Sequence, residues 1–324
     1  MDVMVYYVIA LGLFLPAAYE EVLRCLVEGL GWLDGVEPVR VAGKSAIAQA
    51  RRRLGSAPLE ALYAQSAPRA SAATPGAFFA GLRLVSIDGS TLAVPDTPEN
   101  EVGFGRQPGV RGPAAFPMLR FAALVETGTH LIFAAQMGPG TLGELALGRQ
   151  LLPRLGAGML LLADRQFAAQ DFLRAVAATG AQFLVRISDR VSLTAETRLP
   201  DGSFLSRIGV SKNTRRAGQP GLPVRVIEYR VAPSQGRFRL VTSLLDPGAA
   251  PAAALAALYP QRWEHEGVYD EFKTHLRGAH LVLRSKSPDL VRQEFFGLCL
   301  AHYAVRSLML EAAGQDTLDP DHLS

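Results

Sequence analysis

Cysteine is scarce in these 324 residues: Cys25 and Cys299 stand far apart, outside any C-x-x-C pattern. That argues against a disulfide framework and a cysteine zinc cluster, and it points to a reducing cytoplasm. Net charge is also small, because 33 Lys and Arg face 30 Asp and Glu, leaving +3. With 49% hydrophobic and 19% charged residues the chain is neither a disordered tail nor a collagen, and it is long enough for one large domain or two modest ones. A pI near 9.0 leans toward nucleic acid. Long apolar runs are missing too. The longest, VMVYYVIALGLFL at residues 3–15, has Asp2 before it, no basic residue until Arg24, and Pro16, Glu20 and Glu21 soon after. It lacks the charged flank of a signal peptide and falls short of the roughly 20 residues that span a bilayer, so a buried helix is expected and no membrane partner.

Apolar residues at helical spacing predict helices over 19–33 and 44–63, the second around Arg51-Arg52-Arg53. That arginine run suits DNA phosphates and a solvated face equally. Residues 66–77, SAPRASAATPGA, read as a linker. From residue 82 the pattern becomes LRLVSI ending on Asp88-Gly89, then two β-rich runs (119–126 and 130–136) about Thr127-Gly128-Thr129, which predict a hairpin. A helix is expected over 142–152 with Thr141 as N-cap and Glu144 as its capping-box partner. GMLLLA then ends on Asp164, followed by a helix over 168–179 and the strand QFLVRI. Residues 189–250 read as several strands joined by Gly and Pro turns. Between 201 and 240 there are eight Lys and Arg against Asp201 and Glu228, an excess that suits phosphate contact. Helices return over 252–273, interrupted at Pro260, and over 289–312.

The segment YPQRWEHEGVYDEFK carries the most chemistry. Tyr259, Arg262, Glu266 and Lys273 stand at offsets 0, 3, 7 and 14. At about 100° per residue these fall within about 60° on one helical face. A hydroxyl, a guanidinium, a carboxylate and an ammonium in one row suit the edge of an active site; a solvated helix with ion pairs one turn apart carries the same residues. Asp88 and Asp164 each close an apolar strand, where open α/β sheets place functional groups. Carboxylates converging from two strand ends and a helix make a hard-oxygen site for one or two Mg²⁺ ions, which stabilise both oxygens of an in-line phosphodiester displacement.

Together these residues resemble the DDE transposases of the insertion element 4 group, whose signature Y-x2-R-x3-E-x6-K is matched at Tyr259, Arg262, Glu266 and Lys273 with no gap adjusted. Ile87-Asp88-Gly89-Ser90 and Ala163-Asp164-Arg165-Gln166-Phe167 are similar to the family's first and second acid motifs. VIALGLFLPAAYEEVLRCLVEGL and KSAIAQARRRLG are similar to its helical leader, and THLRG and LRSKSPDLVRQEFFGLCLAHY continue the likeness. The resemblance implies an α/β fold with a ribonuclease H-like core: a helical N-terminal region over 1–77 with possible DNA contact, core over 78–188, a β-rich basic insertion over 189–250, and the catalytic and C-terminal helices over 251–324. It implies Asp88, Asp164 and Glu266 as catalytic acids holding Mg²⁺, with Mn²⁺ as a substitute, and Tyr259, Arg262 and Lys273 as contacts to DNA phosphates. One strand is then nicked and its 3′-OH attacks a second phosphodiester. The implied partners are double-stranded DNA at element ends, target DNA, and a second copy of the chain in the DNA complex. The chain ends on DHLS, earlier than the resemblance leads one to expect.

Other readings use the same residues. His265-Glu266 invites a zinc-protease motif, but that motif needs histidine at position 269, where Tyr269 stands. Ser45, Ser86 and Ser90 have no G-x-S-x-G context. Trp263 and Phe272 are expected as packing anchors, and His275, His280 and His302 at the surface or core edge. A non-catalytic DNA-binding relic or regulator derived from a transposase is the alternative from another class, and a general nuclease on the same fold is a third.

Overall fold

A run that is apolar almost throughout forms α1 (Asp2–Leu13), and apolar residues recurring every three to four positions form α2 (Tyr19–Asp34), α3 (Lys44–Leu54) and the short α4 (Ala57–Tyr63). The computed structural model describes residues 2–34, 41–109, 112–209, 221–230, 238–275, 282–316 and 320. The apolar run is α1, which buries Tyr7, Val8 and Leu11 against the C-terminal part of the chain. No described helix is long and apolar enough to cross a membrane. The single helix expected over 44–63 is two, because Gly55 ends α3 at φ 68°, a conformation that side-chain-bearing residues rarely adopt. Pro58 sits in the first turn of α4, where its missing N–H costs nothing.

The sheet is built on β1 (Leu82–Ala93), followed by α5 (Pro98–Phe104) and the hairpin β2 (Met118–Glu126) and β3 (Leu131–Pro139). Then come α6 (Glu144–Leu151), β4 (Met159–Ala163), α7 (Gln170–Ala178) and β5 (Gln182–Arg186). Strands β1, β4 and β5 run parallel, and β2 and β3 join the other edge of β1 antiparallel. Side chains alternate across this sheet. Phe121, Ala123 and Val125 face α1 and the long C-terminal helix (Pro288–Asp316), while Ala122 and Leu124 face α6 and α7. Leu84, Val85 and Ile87 are all fully buried because helices cover both faces. This is the expected α/β, ribonuclease H-like arrangement.

The β-rich segment forms β6 (Thr197–Arg198), β7 (Phe204–Ile208), β8 (Leu222–Tyr229) and β9 (Phe238–Thr242). β9 pairs with β5, so these strands continue the core sheet in the order β3-β2-β1-β4-β5-β9-β8-β7-β6. Its basic excess is partly internal. Arg225 is fully buried against Asp201, Arg207 pairs with Glu196, and Arg239 pairs with Glu228. Lys212, Arg215, Arg216 and Arg237 lie outside the described residues.

Two further corrections concern local chemistry. The N-cap of α6 is Gly143, with no capping side chain, so Thr141 does not cap it. The turn in which Leu142 N–H donates to Pro139 O delays the helix, and Glu144 faces Arg120 instead. His302 is also buried, not at the surface, and it lies beside Glu271. Glu271 accepts from Arg306 and bonds His130, joining the end of the signature segment to the long C-terminal helix. Burial alone would raise the Glu271 carboxyl, but hydrogen bonds from His130, His302 and Arg306 outweigh it and hold it well below its usual range. Burial lowers His302, with Glu271 opposing.

Both shifts make the fold acid-labile. A depressed glutamate contributes stability above about pH 4.3 that is lost as pH falls, and a depressed histidine penalises the fold progressively below about pH 6.5. Urea unfolding is expected to show stability falling from pH 7 to pH 4. Glu271→Gln should flatten the limb below about pH 4.5, and His302→Gln should make the limb below about pH 6.5 shallower, leaving the share supplied by His265, which burial lowers to about 3. Limbs unchanged in both variants would contradict this assignment.

Candidate active site

Asp88 and Asp164 come together because β1 and β4 are parallel neighbours, paired as far as Ile87 and Ala163. Asp164 follows the last residue of β4, as expected. Asp88 does not end its strand: β1 continues to Ala93 through antiparallel pairing with β2, and only the parallel pairing stops before it. Both carboxylates accept local amides, Asp88 from Gly89 and Asp164 from Gln166, each at 2.8 Å. Burial pushes the Asp88 carboxyl up to about 6; the Gly89 amide opposes this, Asp164 adds to it, the Arg262 guanidinium opposes it, and Glu144 adds to it. Two repelling, partly desolvated carboxylates are the donor chemistry that hard divalent cations take.

The signature segment covers this pair, but not as one regular helix. α8 (Ala252–Leu258) tightens into a 3₁₀ segment (Tyr259–Trp263), relaxes to α9 (Glu264–Asp270) and widens into a π turn (Glu271–His275). The uniform 100° arithmetic therefore fails, although all four residues remain near β1 and β4. Tyr259 Oη donates to Ala163 O at 3.2 Å, beside Asp164. Arg262 pairs through Nη1 with Asp88 at 3.5 Å and through Nη2 with Glu266 at 3.6 Å. Lys273 Nζ donates to Ser90 Oγ, and Tyr269 Oη donates to Asp88 O at 2.7 Å. Arg262 is buried, with an unpartnered Nε, whereas the Glu266 side chain is 68% exposed. Among the described residues no three acids stand close enough to share one ion; a guanidinium lies between the first and third.

Sequence reasoning missed Glu144 and Arg120. Their 3.3 Å ion pair lies beside Gly89, where an added Cβ would stand 2.2 Å from Glu144 Cγ. No periodicity separates such a glutamate from an ordinary first-turn acid. Trp263 is not a packing anchor, being 60% exposed, whereas Phe272 is fully buried. Trp263 borders a cleft of about 490 Å³ with Asp164, Arg165 and Arg262. Arg186, Phe238 and Tyr229 also line it; Arg186 lies 4.4 Å above the Phe238 ring, and Phe238 stacks on Tyr229. Ser86 and His265 Nδ1 are 2.8 Å apart, yet both are sealed in the core, where no substrate carbonyl reaches them. Burial, with the Arg262 and His130 charges, lowers His265 to about 3 and keeps the ring neutral.

This chain is similar in sequence to known proteins. Residues 80–304 match the transposase DDE domain, and residues 1–64 match the insertion element 4 transposase N-terminal region. The transposase InsG for insertion sequence element IS4 of Escherichia coli K12 is 31% identical over 318 residues, covering 97% of this chain and 70% of that protein. The putative transposase InsZ of the same organism is 31% identical over 142 residues, covering 43% of this chain and 48% of that one. The piggyBac transposase, solved as a synaptic complex with hairpin DNA, aligns at 12% identity and a TM-score of 0.43, covering 74% of this chain and 49% of that one. The domain match and the likeness to the IS4 enzyme over nearly all of this chain make it a member of the insertion element 4 family of DDE transposases, metal-dependent enzymes that cut DNA and transfer its strands.

Proposed function

We propose that this transposase cuts and rejoins DNA at the ends of its own insertion sequence, with Asp88, Asp164 and Glu266 as the three catalytic acids. The observation that carries the reading is the pairing of one guanidinium, Arg262, with both Asp88 and Glu266, which gathers acids 178 residues apart in sequence beside Asp164. The three carboxylates would hold Mg²⁺, or Mn²⁺ in its place. Bound there, such ions neutralise charge on the attacking and leaving oxygens of a phosphodiester.

The remaining steps belong to the chain. Arg262 offers a planar fork that suits a phosphate as well as a carboxylate, so an incoming DNA phosphate competes with Asp88 and Glu266 for it. Its transfer to DNA frees both acids. Lys273 adds a point charge further along the segment. Tyr259, whose hydroxyl is engaged with Ala163 and raised to about 12, mainly by burial, acts by holding the Asp164 strand end and as a wall of the cleft. Trp263 presents a flat face on which a base stacks without sequence preference. The DNA complex is a dimer that joins element ends to target DNA in the cytoplasm, with residues 1–77 and 189–250 flanking the core as DNA-contacting regions.

The test is cleavage by the full chain of a duplex carrying the element's own ends. Cutting at the ends that requires Mg²⁺ is expected. Binding without cutting favours the non-catalytic DNA-binding derivative. Arg262→Ala is expected to weaken the complex with end DNA about tenfold, as loss of a charge-assisted contact does, with a much smaller effect on folding. Unchanged affinity and cleavage in that variant would remove Arg262 from the phosphate contacts.

A further inference from the structure

The sealed Ser86–His265 pair belongs to the strand that carries Asp88. Successive residues of β1 point to opposite faces: Val85 and Ile87 pack toward α6 and α7, and Ser86, Asp88 and Ser90 turn toward the signature segment. Each of those three takes one residue of the segment. Ser86 Oγ bonds His265 Nδ1 at 2.8 Å, Asp88 pairs with Arg262 at 3.5 Å, and Ser90 Oγ accepts from Lys273. Tyr269, one turn beyond His265, adds a fourth contact by donating to Asp88 O at 2.7 Å, and its ring meets the imidazole edge-on, 4.4 Å between centroids.

These contacts differ in what can replace them. His265 is fully buried and Ser86 is 1% exposed. Among the described residues His265 Nε2 has no partner, so Ser86 is the polar group that fixes the ring. Water cannot take over a bond in that position without opening the core. Arg262 and Lys273 are different, because both are cations that a phosphate attracts. With Arg262 moved from Asp88 to a DNA phosphate and Lys273 turned to another, two of the four contacts with β1 are given up when DNA arrives. Glu264, which accepts from the Gly128 N–H, and Glu271, which accepts from Arg306, hold the ends of α9 to the hairpin turn and the C-terminal helix. On β1 itself the Ser86–His265 and Asp88–Tyr269 bonds stay in place, on either side of Glu266 in the sequence.

We infer that His265 is a positioning residue for strand cleavage: through Ser86 it sets the depth and rotation of α9 on β1, and so holds Glu266 beside Asp88 and Asp164 once the guanidinium between them has moved to DNA. This rests on the reading of Glu266 as the third acid and of Arg262 as a phosphate contact. His265 touches neither DNA nor the reacting atoms. Within α9, His265, Val268 and Tyr269 are buried while Glu266 and Asp270 are exposed, so one face carries the register and the other the charge. A displacement of about 1 Å at a reacting group costs on the order of a hundredfold in rate, which is the scale of effect expected from a loosened α9.

The experiment compares full-length wild type with Ser86→Ala/His265→Leu and with His265→Asn. The double variant removes both partners, so no buried polar group is stranded and the melting temperature should stay close to wild type. Its affinity for a labelled end duplex in EDTA should change less than about threefold, while single-turnover cleavage with Mg²⁺ falls about a hundredfold. Asparagine places an amide where Nδ1 stood, and His265→Asn should therefore recover most of the lost rate. Hydrogen exchange in EDTA gives a readout free of metal and cleavage. Amides of residues 264–270 should exchange at the wild-type rate in the DNA-free double variant, and about tenfold faster than wild type in its complex with the end duplex. Equal exchange in the two complexes, or near-wild-type cleavage by the double variant, would overturn the inference. So would binding and cleavage falling together, or faster exchange already in the DNA-free protein, because His265 would then serve packing alone. A wild type that binds end DNA and never cuts it would count against the catalytic reading instead, and leaves the exchange comparison to decide this one.

Discussion

Glu266→Gln is expected to lower strand cleavage about a thousandfold or more while changing affinity for end DNA less than threefold. The substitution keeps the size of the side chain and removes one anionic ligand, and metal-borne charge stabilisation of several kcal/mol corresponds to that factor at 1.4 kcal/mol per tenfold. Folding should be unaffected, because Glu266 is 68% exposed and its 3.6 Å pair with Arg262 is a weak one. The measurement is single-turnover cleavage with Mg²⁺ beside a binding curve in EDTA. Loss of binding and cleavage together would assign Glu266 a structural role, and cleavage within tenfold of wild type would remove it from the catalytic acids.

Arg225→Met is expected to destabilise the protein by about 1–3 kcal/mol, because Ser203 Oγ and Ala250 O lose their buried donor while Asp201, the solvent-facing partner, is rehydrated. Arg225 is fully buried. It donates to Asp201, to Ser203 Oγ at 2.8 Å and to Ala250 O at 2.6 Å, while Asp201 also accepts from Ala252 N at the start of α8. The pair thereby fastens the β6–β9 extension to the helix that carries the signature. Arg225→Met/Asp201→Leu should recover little of the loss, because Ala250 O stays unmatched and the Ala252 N–H loses its acceptor as well. By contrast, Arg24→Ala, which breaks solvent-exposed pairs with Glu21 and Glu28, should cost less than about 1 kcal/mol. Urea unfolding at pH 7 distinguishes these. A loss below about 1 kcal/mol for Arg225→Met would mean that the extension does not unfold with the core.

Much of this protein is legible along one dimension. Asp88 and Asp164 stand out because each follows an apolar run of strand length, and Tyr259, Arg262, Glu266 and Lys273 because their spacing repeats at near-helical intervals. The hairpin about Gly128 follows from turn chemistry next to β-rich runs. These are local properties, carried by residues a few positions apart, and the sequence by itself determined them. The segment from Tyr259 to His275 passes through three helical forms that a single period cannot describe, and Asp88 lies inside a strand because β2, not β4, supports the second half of β1.

Tertiary structure alone decided which charges meet. Arg225 looked like part of a basic surface and is the buried core of a clamp. Trp263 looked like packing and faces a cleft. Glu144 looked like a capping residue and lies against Gly89, and Arg51 found Gln293 from the far end of the chain. Burial and electrostatic partnership depend on which elements pack together. Strand pairing and helix docking set that across separations of tens to hundreds of residues, where a charged side chain carries no mark of whether it will meet water, a carboxylate or a phosphate.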